Sequence, residues 1–232
     1  MPKKPKRHEL QQRDFRIKHG LEHTKKLRIM LPERHLFVTE GTKTEPNYLN
    51  GLVDLICDHF GPSVRKQFNI IGEGGNTLNL LQRAEAYQHN EAYGYQHVWI
   101  IYDKDDFPSD AFDNTVSRCD AINKRFQSEN RDTIFHAIWS NQCIELWFVL
   151  HFVYLQSDIS REQYSAILSS HLGRHYEKND AKIFTTLLPT LDQAIRNAKR
   201  LMSSYSKESS PSQKAPATNV YELVEHLREY IR

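Results

Sequence analysis

His97-Val-Trp-Ile-Ile-Tyr102 is an apolar run that ends abruptly in acids at Asp103, Asp105 and Asp106. A strand with one wet face alternates apolar and polar residues, whereas a continuous run has to be covered on both faces. That requirement selects a mostly parallel sheet with helices above and below it. The acids then fall just past the C-terminal end of the strand, the edge at which open α/β sheets form their ligand crevice. Carboxylates crowded there repel one another unless a cation neutralises them, and hard oxygen donors suit Mg²⁺ or Mn²⁺.

The flanking sequence repeats the strand and helix alternation. His35–Thr39 reads as a first strand that breaks at Glu40-Gly41. A helix follows with Glu45 and Pro46 in its first turn, where proline is tolerated. Tyr48, Leu49, Leu52, Val53, Ile56 and Phe60 recur on it at helical spacing. Phe68–Ile71 is a second strand, and the turn Gly72-Glu73-Gly74-Gly75 leads to Asn76 as N-cap of a helix carrying Leu78, Leu81, Ala84 and Tyr87. After the opening strand come a helix over 110–127 and a strand over Ile134–Ile138. The pattern then turns helical. It predicts an amphipathic helix over 145–154, two or three more across 160–205, a Ser/Pro/Lys linker over 206–216 and a last helix over 219–231. The expected organisation is a basic flexible arm over 1–33, an α/β core over 34–140 and a helical region over 141–232 that completes the site and the core.

Charge is unevenly spread. Residues 1–34 hold eleven Lys/Arg against four Asp/Glu, and the remainder twenty against twenty-five, so the net +2 conceals +7 and −5. Lys3, Lys4, Lys6 and Arg7 in that arm suit contact with a polyanion, although a solvated tail has the same composition. No apolar run approaches the roughly 20 residues that span a bilayer. MPKKPKRHEL is followed by no apolar stretch, so neither secretion nor membrane insertion is expected. Cys57, Cys119 and Cys143 are odd in number and far apart, which fits a reducing cytoplasm.

Three segments could carry chemistry. In Glu40-Gly41-Thr42-Lys43-Thr44-Glu45, an acid ends an apolar strand, glycine allows close backbone approach, and a helix N-terminus follows. Read structurally, Thr44 is only an N-cap and Glu45 a first-turn acid. In the Asp cluster, alternate residues of an extended chain point the same way, so Asp103 and Asp105 could share a metal while Lys104 faces elsewhere and Asp106 projects oppositely. An acidic turn is the plainer reading. Glu145 lies in the very apolar stretch Ser140–Phe152 and needs a partner or a metal there. His151 reads as structural, Cys143 lacks a nearby base, and the Gly72–Gly75 turn is not followed by Lys-Ser/Thr as a P-loop would be.

The ordered segments EGTKTEPNYL, YDKDDF, SNQCIELWFVLHF and TNVYELVEHL resemble those of the RloB-like proteins of bacteria and archaea, small restriction-linked proteins associated with defence against phage. The resemblance runs from about Arg34 to Arg232. The family in turn looks like a Toprim domain, a Rossmann-like α/β fold shared by topoisomerases, primases and several nucleases. By that resemblance Glu40 serves as acid/base or metal-site residue, and Asp103 and Asp105 hold Mg²⁺. Glu45, Asp106 and Glu145 match RloB-like positions, and a metal role for them is an inference.

These readings imply a Mg²⁺- or Mn²⁺-dependent nuclease in the cytoplasm, with Lys43, Lys104 and the basic arm on flanking phosphates. Structured RNA such as transfer RNA is slightly favoured over DNA, in an abortive response to phage. A defence-system partner and a homo-oligomer are both compatible with the sequence. One rival is a non-catalytic Toprim-like regulator that binds nucleotide or nucleic acid. Another is an aspartyl-nucleophile phosphatase, which would place its acidic pair after the first strand, where Glu40 stands.

Overall fold

β1 (His35–Thr39) is buried along its whole length and is hydrogen-bonded to a strand on each side. The computed structural model describes residues 31–74, 77–91, 94–105 and 108–231. Lys3, Lys4, Lys6, Arg7, Gly75, Asn76 and Asp106 lie outside the described residues. β2 (Phe68–Gly72) flanks β1 on one side, and β3 (His97–Asp103) on the other. β4 (Ile134–Asn141) follows β3, and a two-residue β5 (Ala217–Thr218) closes the order β2-β1-β3-β4-β5. The first four strands are parallel and β5 is antiparallel to β4. The chain passes from β1 outward to β2 and then back across to β3, so the switch in strand order falls between β1 and β3.

Helices cover both faces, as the uninterrupted apolar strands require. α1 (Thr44–Phe60) packs on the face that carries Phe37, Trp99 and Ile101. α2 (Thr77–Asn90) and α3 (Ser109–Ser128) pack on the opposite face, against Leu36, Val38, Val98 and Ile100. α4 (Glu145–Leu150), α5 (Arg161–Leu172), α6 (Ile183–Leu187), α7 (Leu191–Met202) and α8 (Val220–Arg228) join the α1 face. Every residue of α4 is buried, and each of its large apolar side chains contributes about 1.5–3 kcal/mol by burial. Pro32–Arg232 pack as one unit. Among the described residues no helix is long and apolar enough to cross a membrane.

The stretch 206–216 is more than a linker. Ser210 and Gln213 form a capping box around a short turn at Pro211–Gln213, and Ser212 donates from N–H and hydroxyl to the Asp113 carboxylate at 2.8 and 2.6 Å. Its polar side chains satisfy backbone groups locally, where composition alone suggests free solvation. Asn219 then extends the sheet beyond β5. Its Oδ1 accepts from Trp139 N–H at 2.7 Å and its Nδ2 donates to Ala137 O at 3.0 Å.

Candidate metal centre

The ladder between β1 and β3 continues one residue past β1, with Glu40 N–H donating to Ile101 O at 3.0 Å. The chain then turns at Gly41, and Glu45 in the first turn of α1 folds back over it. Gly41 N–H donates to Glu45 Oε1 at 3.1 Å. A Cβ at Gly41 would lie 2.1 Å from Glu45 Oε2, so glycine leaves the space that this carboxylate occupies. The turn after β2 presses on the same loop. A Cβ at Gly72 would meet Gly41 O and Thr42 Cα, each at 2.8 Å, while Gly74 N–H donates to Glu40 O at 3.0 Å.

Asp103 ends β3 opposite Ser140 of β4. Its Oδ2 accepts the N–H of Ile144 at 3.1 Å, and its own N–H faces Glu40 Oε2 at 3.4 Å. The chain beyond it is not extended. Asp105 has φ 43° in the left-handed region, which aspartate tolerates. Lys104 and Asp105 donate from N–H to Ser140 O and Gln142 O at 2.9 and 3.1 Å. The alternation of an extended strand therefore does not apply to Asp103 and Asp105, because a turn intervenes. Asp105 Oδ1 pairs instead with Arg161 Nη2 at 2.5 Å, at the start of α5.

Glu145 enters from below at the first residue of α4, 3% exposed. The segment between α5 and α6 folds over it. Tyr176 donates its hydroxyl to Glu145 Oε1 at 3.1 Å, Lys178 Nζ lies 3.9 Å from the same oxygen, and Lys178 O accepts the Thr44 hydroxyl at 2.8 Å.

These elements enclose a cleft of about 380 Å³ at the C-terminal edge of the sheet, lined by Glu40, Glu45, Asp103, Asp105, Glu145 and Lys178 among others. Lys43 and Lys104 are not among its lining residues. The RloB-like protein family matches residues 35–227, most of the chain. This chain belongs to the RloB-like family. No curated protein matches it.

In this RloB-like chain the acids strain against one another. Burial, then the charges of Glu45, Glu145 and Asp105, push the Asp103 carboxyl well above its ordinary range, partly offset by the Ile144 N–H. Burial also raises Glu45, with Glu145 adding to the rise and the Gly41 N–H opposing it. The donors are all carboxylates, which is the chemistry a hard divalent cation takes. A bound cation would relieve both burial and repulsion, so the residues fit such an ion. Among the described residues, no three of these carboxylates bring ligand oxygens within 4.8 Å of one another. Cys143 lines the cleft with its thiol pushed far up by burial and by Glu145 and Asp103, which leaves it inert as a nucleophile. His151 is buried, with Nδ1 facing Leu187 O at 3.0 Å, and burial lowers it to about 4. Tyr176, Lys178 and Arg161 carried no sequence signal, because they sit in ordinary charged loop and helix-start contexts.

Proposed function

We propose that this RloB-like chain is a divalent-metal-dependent nuclease that hydrolyses phosphodiester bonds of a nucleic acid. The observation that carries this reading is the gathering of five carboxylates, from three separate segments, in one cleft at the switch in strand order. Buried acids with raised pKa values destabilise a fold that has no use for them, and such groups cluster at functional sites.

Asp103, Glu45 and Glu145 would hold the cation, with Glu40 and Asp105 at the same cleft. Each of the first three has one oxygen set by a protein donor: Ile144 N–H, Gly41 N–H and the Tyr176 hydroxyl. When bound, Mg²⁺ supplies charge neutralisation and polarisation of a phosphate oxygen. Glu40, half-buried at the cleft, accepts the proton of the attacking water or completes the ligand set. Lys178 and Arg161 offer cations to the flanking phosphates, with exposed Lys43 further out. Structured RNA is the favoured substrate over DNA, and abortive defence against phage the favoured setting, since a toxic effector needs an abundant essential target.

The spacing of the carboxylates favours a second reading, a regulator that binds nucleotide or nucleic acid without cutting it. Asp105 is already paired with Arg161, and no three acids among the described residues share a 4.8 Å sphere. Purified protein incubated with pools of transfer RNA, single-stranded DNA and duplex DNA, with Mg²⁺ or with EDTA, separates the two. New ends that require Mg²⁺ and vanish in Glu40→Ala support the nuclease. Retention of nucleic acid without new ends, under every metal, supports the regulator.

A further inference from the structure

Histidines gather at the opposite edge of the sheet, where the strands begin. His35 opens β1 and His97 opens β3 directly beside it, while His136 of β4 lies opposite Trp99. His226 reaches them from α8, its ring 4.4 Å from that of His97. Glu33, just ahead of β1, adds a carboxylate. Ligand atoms of Glu33, His97 and His226 all lie within 4.8 Å of one another, the one such group of three among the described residues.

We propose that Glu33, His97 and His226 bind a transition-metal ion of the Zn²⁺ class, with one coordination position open beside the exposed Glu33. Two imidazoles and a carboxylate are the donors such an ion takes, in contrast to the all-carboxylate cleft. A tetrahedral site with bonds of about 2.0–2.2 Å separates its ligand atoms by roughly 3.3 Å. His97 Nε2 and Glu33 Oε2 are 2.8 Å apart, already near that spacing. His226 Nε2 is buried with no hydrogen-bond partner, an arrangement that is costly for a ring nitrogen unless its lone pair or proton is used.

The surroundings hold these groups in place. His97 Nδ1 is 2.9 Å from His136 Nε2, the outer contact that orients a metal-bound imidazole. Trp99 Nε1–H can only donate, so His35 Nδ1 accepts it at 3.1 Å, and His35 Nε2–H then donates to the Tyr230 oxygen at 2.9 Å. That oxygen also faces Glu33 N–H at 3.4 Å, which fixes the approach to β1. A bound ion would tie three places far apart in sequence: the entry to the fold, the start of β3 and the last helix. The seven residues of β3 separate it from the acidic cleft by about 20 Å at ~3.3 Å per residue. It stands independently of the nuclease reading.

The test uses the full chain, stripped of metal, titrated calorimetrically with Zn²⁺ and followed by visible absorption with Co²⁺. One equivalent bound, a raised melting midpoint with Zn²⁺, and the strong d–d bands of four-coordinate Co²⁺ are expected. Glu33→Gln and His226→Asn, chosen because neither empties a fully buried position, should melt like wild type without metal. Both should lose the Co²⁺ bands and weaken Zn²⁺ binding by more than about tenfold. Asp103→Asn should leave all of these signals in place. The site is overturned if wild type binds no stoichiometric ion, as a purely hydrogen-bonded cluster would. It is equally overturned if both variants bind as wild type does, placing the ion on other histidines, or if Asp103→Asn abolishes the bands.

Discussion

Asp103 shows how one residue sets function against stability. Its carboxyl is raised by burial and by three neighbouring acids. An acid raised on folding contributes its stability below the unfolded value, near 3.8, and that stability is lost as pH rises through the folded value. Metal-free protein should therefore become less heat-stable as pH climbs from about 4 toward neutrality. Asp103→Asn keeps an acceptor for the Ile144 N–H and removes the charge. In EDTA at neutral pH it should melt about 2–4 °C higher, the shift expected for ~1 kcal/mol in a chain of this size, and show a flatter pH profile. An unchanged or lower midpoint across that range would contradict the repulsion described for the cleft. Gly41→Ala makes the complementary case. The new methyl would collide with the Glu45 carboxylate, the movable end of a side chain, so Mg²⁺-dependent cleavage should fall by about tenfold or more while circular dichroism and melting change little. A large loss of stability instead would mean that the loop backbone itself cannot yield.

At the scale of elements, β1, β3 and α1 could be read from the sequence because apolar runs and helical spacing leave few alternatives. β1 has the residues expected of it, and β3 runs one residue further than expected, taking in Asp103 through its pairing with Ser140. The helix expected over 145–154 stops at Leu150, where the chain turns to let Asn197 Nδ2 and Gln193 Nε2 of α7 reach Leu150 O and Phe152 O. Of the apolar residues beyond it, Phe152 and Tyr154 are half-buried against the core and Val153 is exposed. β5 could not be read, because two residues carry no period and their pairing depends on β4, some 80 positions away. The Asn219 side chain completes that edge, and Asn219→Ala leaves Trp139 N–H and Ala137 O without it. A loss of about 1–3 kcal/mol in urea unfolding is expected, and a loss below ~0.3 kcal/mol would show that the edge contributes little. Leu146→Ala, inside fully buried α4, should cost more, about 2–5 kcal/mol, and loosen the Glu145 anchor with it.

Across the whole molecule, the sheet presents two chemically different edges. Strand ends carry the carboxylates Glu40 and Asp103, and strand starts carry His35 and His97. The acidic edge could be anticipated, since acids after apolar strands stand out in sequence. The histidine edge could not, because no short ligand spacing marks it. His97, His136 and His226 are separated by tens of residues and meet only through strand register and the return of α8. Closure of the cleft by Tyr176 and Lys178 was hidden for the same reason. If Lys178 meets phosphate, nucleic-acid binding should weaken linearly in log[salt], and Lys178→Ala should reduce that slope by roughly 0.7–0.9. An unchanged slope would place Lys178 on Glu145 alone.

The central claim is that the acidic cleft takes a divalent cation, and Mg²⁺ titration calorimetry tests it most directly. A background of Glu33→Gln and His226→Asn removes the histidine cluster from the measurement. That protein should bind Mg²⁺ saturably at neutral pH, because the cation relieves the repulsion among the buried carboxylates, and Asp103→Asn added to it should abolish the heat. Saturable binding that survives Asp103→Asn together with Glu145→Gln, or no binding at millimolar Mg²⁺, would contradict the account.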